Sequence, residues 1–252
     1  MDEIKQQMVK ENKMGTRPML PLIISMALPT MFSMLVQALY NVVDSYFVAQ
    51  VSEDSLTAVS LVFPIQTLLI AFAVGTGVGI NSLVARRLGE KRQDEADNAA
   101  THGLLLGICN WILFALIGLF GSQPFFAAFT SDAALIKMGV DYMSIVCIFS
   151  FGVFVEINIE KMLQATGNMI YPMIFQLIGA VANIILDPVF IFGYLGIPAM
   201  GVAGAAIATV IGQILSMITA LIVLFTQEHD VKVQLRGFRF HWQTVKNIYV
   251  VG

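Results

Sequence analysis

The sequence predicts an all-α integral membrane protein, a bundle of six transmembrane helices. Three observations carry that prediction. Only 12% of the 252 residues are charged and 57% are apolar, whereas soluble domains carry about 25% charged residues. Six apolar runs of about 18 residues or more are separated by short polar turns. The Lys and Arg residues gather on alternate turns, so the formal net charge of −3 says little.

Residues 1–18 are polar, of mixed charge, and end at Arg17-Pro18. They read as a cytoplasmic N-terminal segment along the membrane surface. The six-span unit covers residues 19–226. The first span, about 20–48, would reach ~43 Å as a helix, longer than the ~30 Å hydrocarbon core. It must tilt, bend or protrude. Pro29 offers the bend, because it removes a backbone donor. Ser52-Glu53-Asp54 makes a turn, and the second span runs over about 56–84.

That second span contains Gly75-Thr76-Gly77-Val78-Gly79. No strand precedes it, so it reads as small-residue helix packing rather than a nucleotide loop. The third span covers about 99–121, followed by a loop with Pro124 and Asp132. The fourth covers about 140–159, with Glu160 and Lys161 at its exit. After Gln164-Ala165-Thr166-Gly167-Asn168 comes the fifth span, about 171–192. A turn with Pro198 leads to the sixth, about 201–225, which opens with small residues that suit close helix contact. Residues 227–240 read as a cytoplasmic linker, and 241–252 begin a new apolar stretch.

Thirteen of the fourteen Lys and Arg residues fall on one side of this topology, and Lys137 alone on the other. The positive-inside rule then places both ends in the cytoplasm. No Lys or Arg lies within a span as drawn.

Spans 1 and 5 therefore run in the same direction. Asp44 and Asp187 each lie four or five residues before the outer end of their span. An acid in the bilayer interior is expensive and is a functional candidate by default. Gln37, Tyr40 and Asp44, at i, i+3 and i+7, share a face, with Asn41 beside them. Asn183 and Asp187, at i and i+4, share another. Pro188 frees the carbonyl of Ile184. These oxygens suit a proton or a hard monovalent cation such as Na+, not a transition metal. Two acids in one dry cavity repel each other, which makes proton occupancy expected. The competing reading is that they only join helices by hydrogen bonds.

Glu156 and Glu160 read as solvated residues at the cytoplasmic end of span 4. Asp141 reads as interfacial and His102 as a polar end residue. Cys109 and Cys147 lie in apolar runs without CxxC spacing and read as core side chains. There is no Ser/His/Asp set, no HExxH, no phosphate loop and no nucleic-acid signature. The sequence gives no support for an enzyme, and no cofactor is expected beyond H+ or Na+.

The ordered set Pro29…Gln37-xx-Tyr40-Asn41-xx-Asp44, Gly75-Thr-Gly-Val-Gly…Ala85-Arg86-Arg87-Leu88-Gly89, Ala165-Thr166-Gly167-Asn168…Pro172, Asn183-xxx-Asp187-Pro188 and Gly201-Val-Ala-Gly-Ala-Ala resembles the bacterial branch of the multidrug and toxic compound extrusion (MATE) family. The resemblance implies a cation-coupled antiporter that exports amphipathic, often cationic, compounds from the bacterial cytoplasmic membrane. It implies a fold of twelve helices in two lobes, of which this chain resembles the N-terminal one, with 241–252 as the start of the second. It implies a cation site at Asp44, Asn183 and Asp187, joined by Tyr40, with Thr209 the nearest candidate for a helix-6 threonine. It implies a hinge at Pro29. Gln37, Asn41 and Pro188 are the expected cavity-lining or hinge residues. Expected partners are the lipid bilayer, small amphipathic or cationic substrates, and a C-terminal lobe or a second copy. The alternatives are a lipid-linked oligosaccharide flippase of the related superfamily and a non-transporting truncated membrane protein.

Overall fold

The protein is described by a computed structural model over residues 13–233, 238 and 240–252. Most of the expected N-terminal segment and part of the linker lie outside the described residues. A four-residue helical turn, Lys13–Thr16, precedes the first long helix.

Helix α1, Met19–Ala49, starts on Pro18 and runs as one helix through Pro29. Ser25 Oγ donates to Leu22 O at 2.8 Å and Thr30 Oγ1 to Met26 O at 2.9 Å. Both hydroxyls thus find partners on their own helix, where lipid would offer none. Only Leu22, Ser33, Asp44 and Val48 are buried, so α1 sits at the rim of the bundle. Ser52 ends the turn by accepting the backbone N–H of Ser55 at 3.0 Å, and Glu53 and Asp54 complement the helix dipole. Helix α2, Glu53–Gly89, is 37 residues long and carries an internal Pro64. It ends with Arg86 and Arg87, and Lys91 at φ 59° turns the chain.

Two spans differ from expectation. The third was expected at 99–121 with a loop after it. Instead α3, Gln93–Leu116, continues through a π-helical turn, Ile117–Gly121, into α4, Ser122–Phe129. The Gly118 carbonyl accepts Ser122 Oγ at 2.6 Å and Ser144 Oγ at 3.2 Å, which stabilises the irregular turn. Pro124 lies just beyond it, where its missing N–H falls on a ladder already disturbed.

The fourth span was expected as one helix over 140–159. It is two helices, α5 Ala133–Ile148 and α6 Phe151–Ala165, bent by 43°. Ser150 Oγ donates to Cys147 O at 2.8 Å, and Trp111 Nε1 donates to Ile148 O at 2.8 Å. These side chains take the carbonyls that the bend removes from the helix. Lys161 consequently lies inside α6 rather than beyond a span.

Helix α7, Ile170–Phe192, ends on Gly193 in the left-handed region, φ 80°. Helix α8, Val202–Thr226, follows a short turn. Gly179 and Gly212 allow α7 and α8 to cross backbone to backbone: a Cβ on Gly212 would meet Gly179 O at 2.7 Å. Five helical runs are long and apolar enough to cross a membrane, six with the bent α5–α6 pair counted as one. Among the described residues the lobe is all-helical, as the composition predicts.

The linker docks on the start of α3, where Asp97 accepts the Lys232 backbone N–H at 2.9 Å. Helix α9, Trp242–Val251, then packs on α2. Gly79 lies against the backbone of Ile248, and Gly75 against Gly252. The glycine-rich stretch is therefore a helix-packing surface, as its place within a span implies.

Candidate cation site

Asp44 is the buried polar residue near the end of α1, and Asp187 on α7 is fully buried. The two carboxyl groups face each other within hydrogen-bonding reach. Their helices meet because α1 packs mainly on α7. A carboxylate has no hydrogen to donate, so such an approach needs a proton or a cation between the pair. Asp44 Oδ1 is buried with no partner.

Asn183 is 2% exposed and sits one turn before Asp187. With its amide oriented to satisfy both ends, Nδ2 donates to Asp187 Oδ2 at 2.9 Å and the amide oxygen accepts Thr209 Oγ1 at 3.2 Å. Thr209 is the α8 contribution, and it faces the Tyr40 hydroxyl. Five of the predicted residues, Tyr40, Asp44, Asn183, Asp187 and Thr209, thus come from three helices to one locus. Gln37 and Asn41 do not join it; both are exposed on α1. Pro29 and Pro188 are half-buried within their helices.

The sequence reading passed over Tyr142 and Gln66. Tyr142 on α5 is buried within electrostatic range of Asp44, Asp187 and Tyr40. Gln66 Nε2 of α2 donates to its hydroxyl at 3.2 Å. A phenol within the fourth apolar run was the available signal. Val48, Phe126, Met143, Ile191 and Val202 form one buried apolar cluster with Tyr142 beside the locus.

Four expectations need correction. Cys109 is exposed on α3 rather than a core side chain, while Cys147 is buried. Glu156 and Glu160 are not solvated; they are 7% and 4% exposed. The bend in the fourth span carries the helix on to Ala165, which brings both acids into the bundle. His102 is fully buried rather than a polar end residue, because the returning linker covers it: Nε2 accepts the His241 backbone N–H at 2.9 Å.

Chemically, the locus offers two carboxyls, an amide and two hydroxyls in a dry setting. Among the described residues no group of three or more His, Cys, Asp and Glu could hold a metal ion. The donor set fits a proton or a monovalent hard cation; for the latter the Asn183 oxygen would have to leave Thr209.

Comparison with known proteins agrees with this architecture. The MatE family model matches residues 29–189. A multidrug export protein, MepA, of Staphylococcus aureus is 24% identical over 93% of this chain and 51% of its own length. An FAD transporter of Shewanella oneidensis is 26% identical over 77% of this chain and 43% of its own. A MOP superfamily transporter from Pyrococcus furiosus superposes with a TM-score of 0.85 at 30% identity, over 91% of this chain and 50% of that one. An outward-facing multidrug resistance MATE transporter gives 0.84 at 30% identity, over 90% and 50%. The chain spans about half the length of the relatives it matches. It belongs to the MatE family and corresponds to the N-terminal half of a multi-pass MATE transporter.

Proposed function

We propose that this chain is the N-terminal lobe of a cation-coupled antiporter that exports amphipathic or cationic compounds, with the Asp44–Asp187 pair as its coupling site. The observation that carries the proposal is the meeting of two buried carboxyls for which the described residues supply no cation. The S. aureus relative named as a multidrug export protein supports the substrate class. The asymmetry of Lys and Arg supports both ends lying in the cytoplasm, and the bacterial relatives support a bacterial plasma membrane location.

In the proposed cycle the coupling ion is a proton shared by Asp44 and Asp187. Asn183 steadies Asp187 by donating to Oδ2, and Thr209 holds the amide in that orientation. Loading the pair cancels the repulsion between α1 and α7 and favours a different course of α1 at Pro29. An unloaded, anionic pair attracts a cationic substrate instead. One site cannot hold both with equal favour, and that difference couples the two fluxes. The second lobe, or a second copy of this one, closes the pathway opposite the exposed face of α1.

The test is efflux of a fluorescent lipophilic cation from proteoliposomes containing the full-length transporter, under separate proton and sodium gradients. A proton gradient should drive efflux in wild type and fail in Asp44→Asn and Asp187→Asn. Normal gradient-driven efflux in both variants would sink the proposal. Efflux driven only by sodium would keep the site but replace the proton.

A further inference from the structure

A second carboxyl cluster lies at the other end of the same seam, near the α6–α7 turn. Glu160 is complete there: Oε1 accepts Lys161 Nζ at 2.9 Å and Gln164 Nε2 at 2.7 Å, and Oε2 accepts Gln176 Nε2 at 2.8 Å. Lys161 makes its other bond to Gln164 Oε1 at 3.1 Å. The negative charge of Glu160 and the positive charge of Lys161 therefore answer each other. Glu156, one turn earlier on α6, is left outside that arrangement. Oε1 is buried without a partner, and the residue is 7% exposed.

The hydrogen-bond count around Glu156 identifies its ligand. Ser216 on α8 is the hydroxyl facing the carboxyl, and no hydrogen bond joins the two. The hydroxyl of Ser216 already donates its one hydrogen to Phe175 O at 2.9 Å. Towards Glu156, Ser216 Oγ can then only accept. Ser216 thus has no hydrogen left for Glu156, and Oε1 stays buried without a donor; a charged carboxylate left so is costly, and a proton removes that cost. The charged groups acting on Glu156 are Glu160 and Lys161, both on α6 itself. The facing groups named from α7 and α8, Gln176 and Ser216, are uncharged, and α2 offers Asn81, which donates to Lys161 O at 2.9 Å. Lys161 is engaged with Glu160, which leaves Glu156 beside a like charge.

We propose that Glu156 is a second proton-binding site of this lobe, distinct from the Asp44–Asp187 pair. On α8, Thr209, Gln213 and Ser216 stand at i, i+4 and i+7 and share one face. That polar row runs from the Asn183 contact to Glu156. The lobe thus holds carboxyl sites at both ends of the α7–α8 seam. The assignment does not depend on transport by the first site.

The experiment is infrared spectroscopy of the full-length protein in lipid at neutral pH, read in the carboxylic C=O stretch. Glu156→Gln keeps the shape of the neutral carboxyl and should fold; it should remove one component of that band. The Asp44→Asn/Asp187→Asn double variant should retain that component. Should Glu156→Gln prove unstable, Glu156→Asp should keep the component at an altered frequency. A band unchanged by Glu156→Gln, or by Glu156→Asp where that variant is used, would overturn the assignment.

Discussion

The Asp44–Asp187 pair and the Glu160–Lys161 pair are both buried charge sites, yet they are completed in opposite ways. Glu160 has a cation one residue away and amide donors on both oxygens. Asp44 has an oxygen with no partner, and its carboxyl faces another acid. Buried charge left unpaired is strongly destabilising, whereas a pair with full hydrogen bonding is tolerated. The Glu160–Lys161 site therefore holds helices together, and the Asp44–Asp187 site waits for something that comes and goes. Burial alone does not separate them; the identity of the partner does.

The largest effect should come from exchanging the two behaviours. Asp187→Asn should leave folding intact or improved, because it removes an unpaired buried charge. It should reduce coupled efflux to background, on the order of 100-fold or more. Lys161→Met should do the reverse. It strands Glu160 and should cost about 3 kcal/mol of stability, with near-normal efflux per folded molecule. Thermal unfolding in detergent beside proteoliposome efflux measures both. If both substitutions lowered stability alike and efflux alike, the distinction between the sites would fail.

The next effect tests the seam that joins them. Gly212→Ala places a methyl against Gly179 O and beside Asn183 Cβ at 3.4 Å. Overpacking of this kind costs about 1–3 kcal/mol. It should also push Asn183 from Thr209 and weaken coupling. Gly89→Ala, at the end of α2, meets no atom within 4 Å and should be neutral. Equal melting temperatures for the two variants would remove the seam from the argument.

Much of this was legible in the residues. The six spans follow from apolar length, and the acid locus from the cost of Asp44 and Asp187 in such runs. What escaped depended on contacts distant in sequence. The bend at Ser150 rests on Trp111 reaching Ile148 O, 37 positions away. The π turn rests on Ser144 reaching Gly118 O from α5. The burial of Glu156 and Glu160 follows from that bend, and the burial of His102 from a linker that returns to α3. Tyr142 was missed because an aromatic in an apolar run looks like core until its hydroxyl is seen near two acids. Gln37 and Asn41 fit the face pattern of α1 but lie where α7 does not reach.

The smallest effect concerns the ion pairs between α2 and α3. Arg87 Nη1 and Arg86 Nε bond Glu90 at 2.6 and 3.0 Å, and these bonds hold its carboxyl below the usual carboxylate range. A lowered folded value means that the contribution is present above the ordinary carboxylate range and is lost as pH falls through the lowered value. Glu90 is exposed to solvent, so the contribution is small and screened by salt. Glu90→Gln should shift the melting temperature barely above detection at neutral pH and low salt. The difference from wild type should vanish in acid and in high salt. The acid locus should respond oppositely, because acid supplies the proton that Asp44 and Asp187 share and takes away the charge on which the Arg86–Arg87–Glu90 cluster depends. A melting difference for Glu90→Gln that persisted unchanged into acid would show that the side chain acts by packing, and the contrast between a screened surface pair and a buried proton site would lose its outer reference.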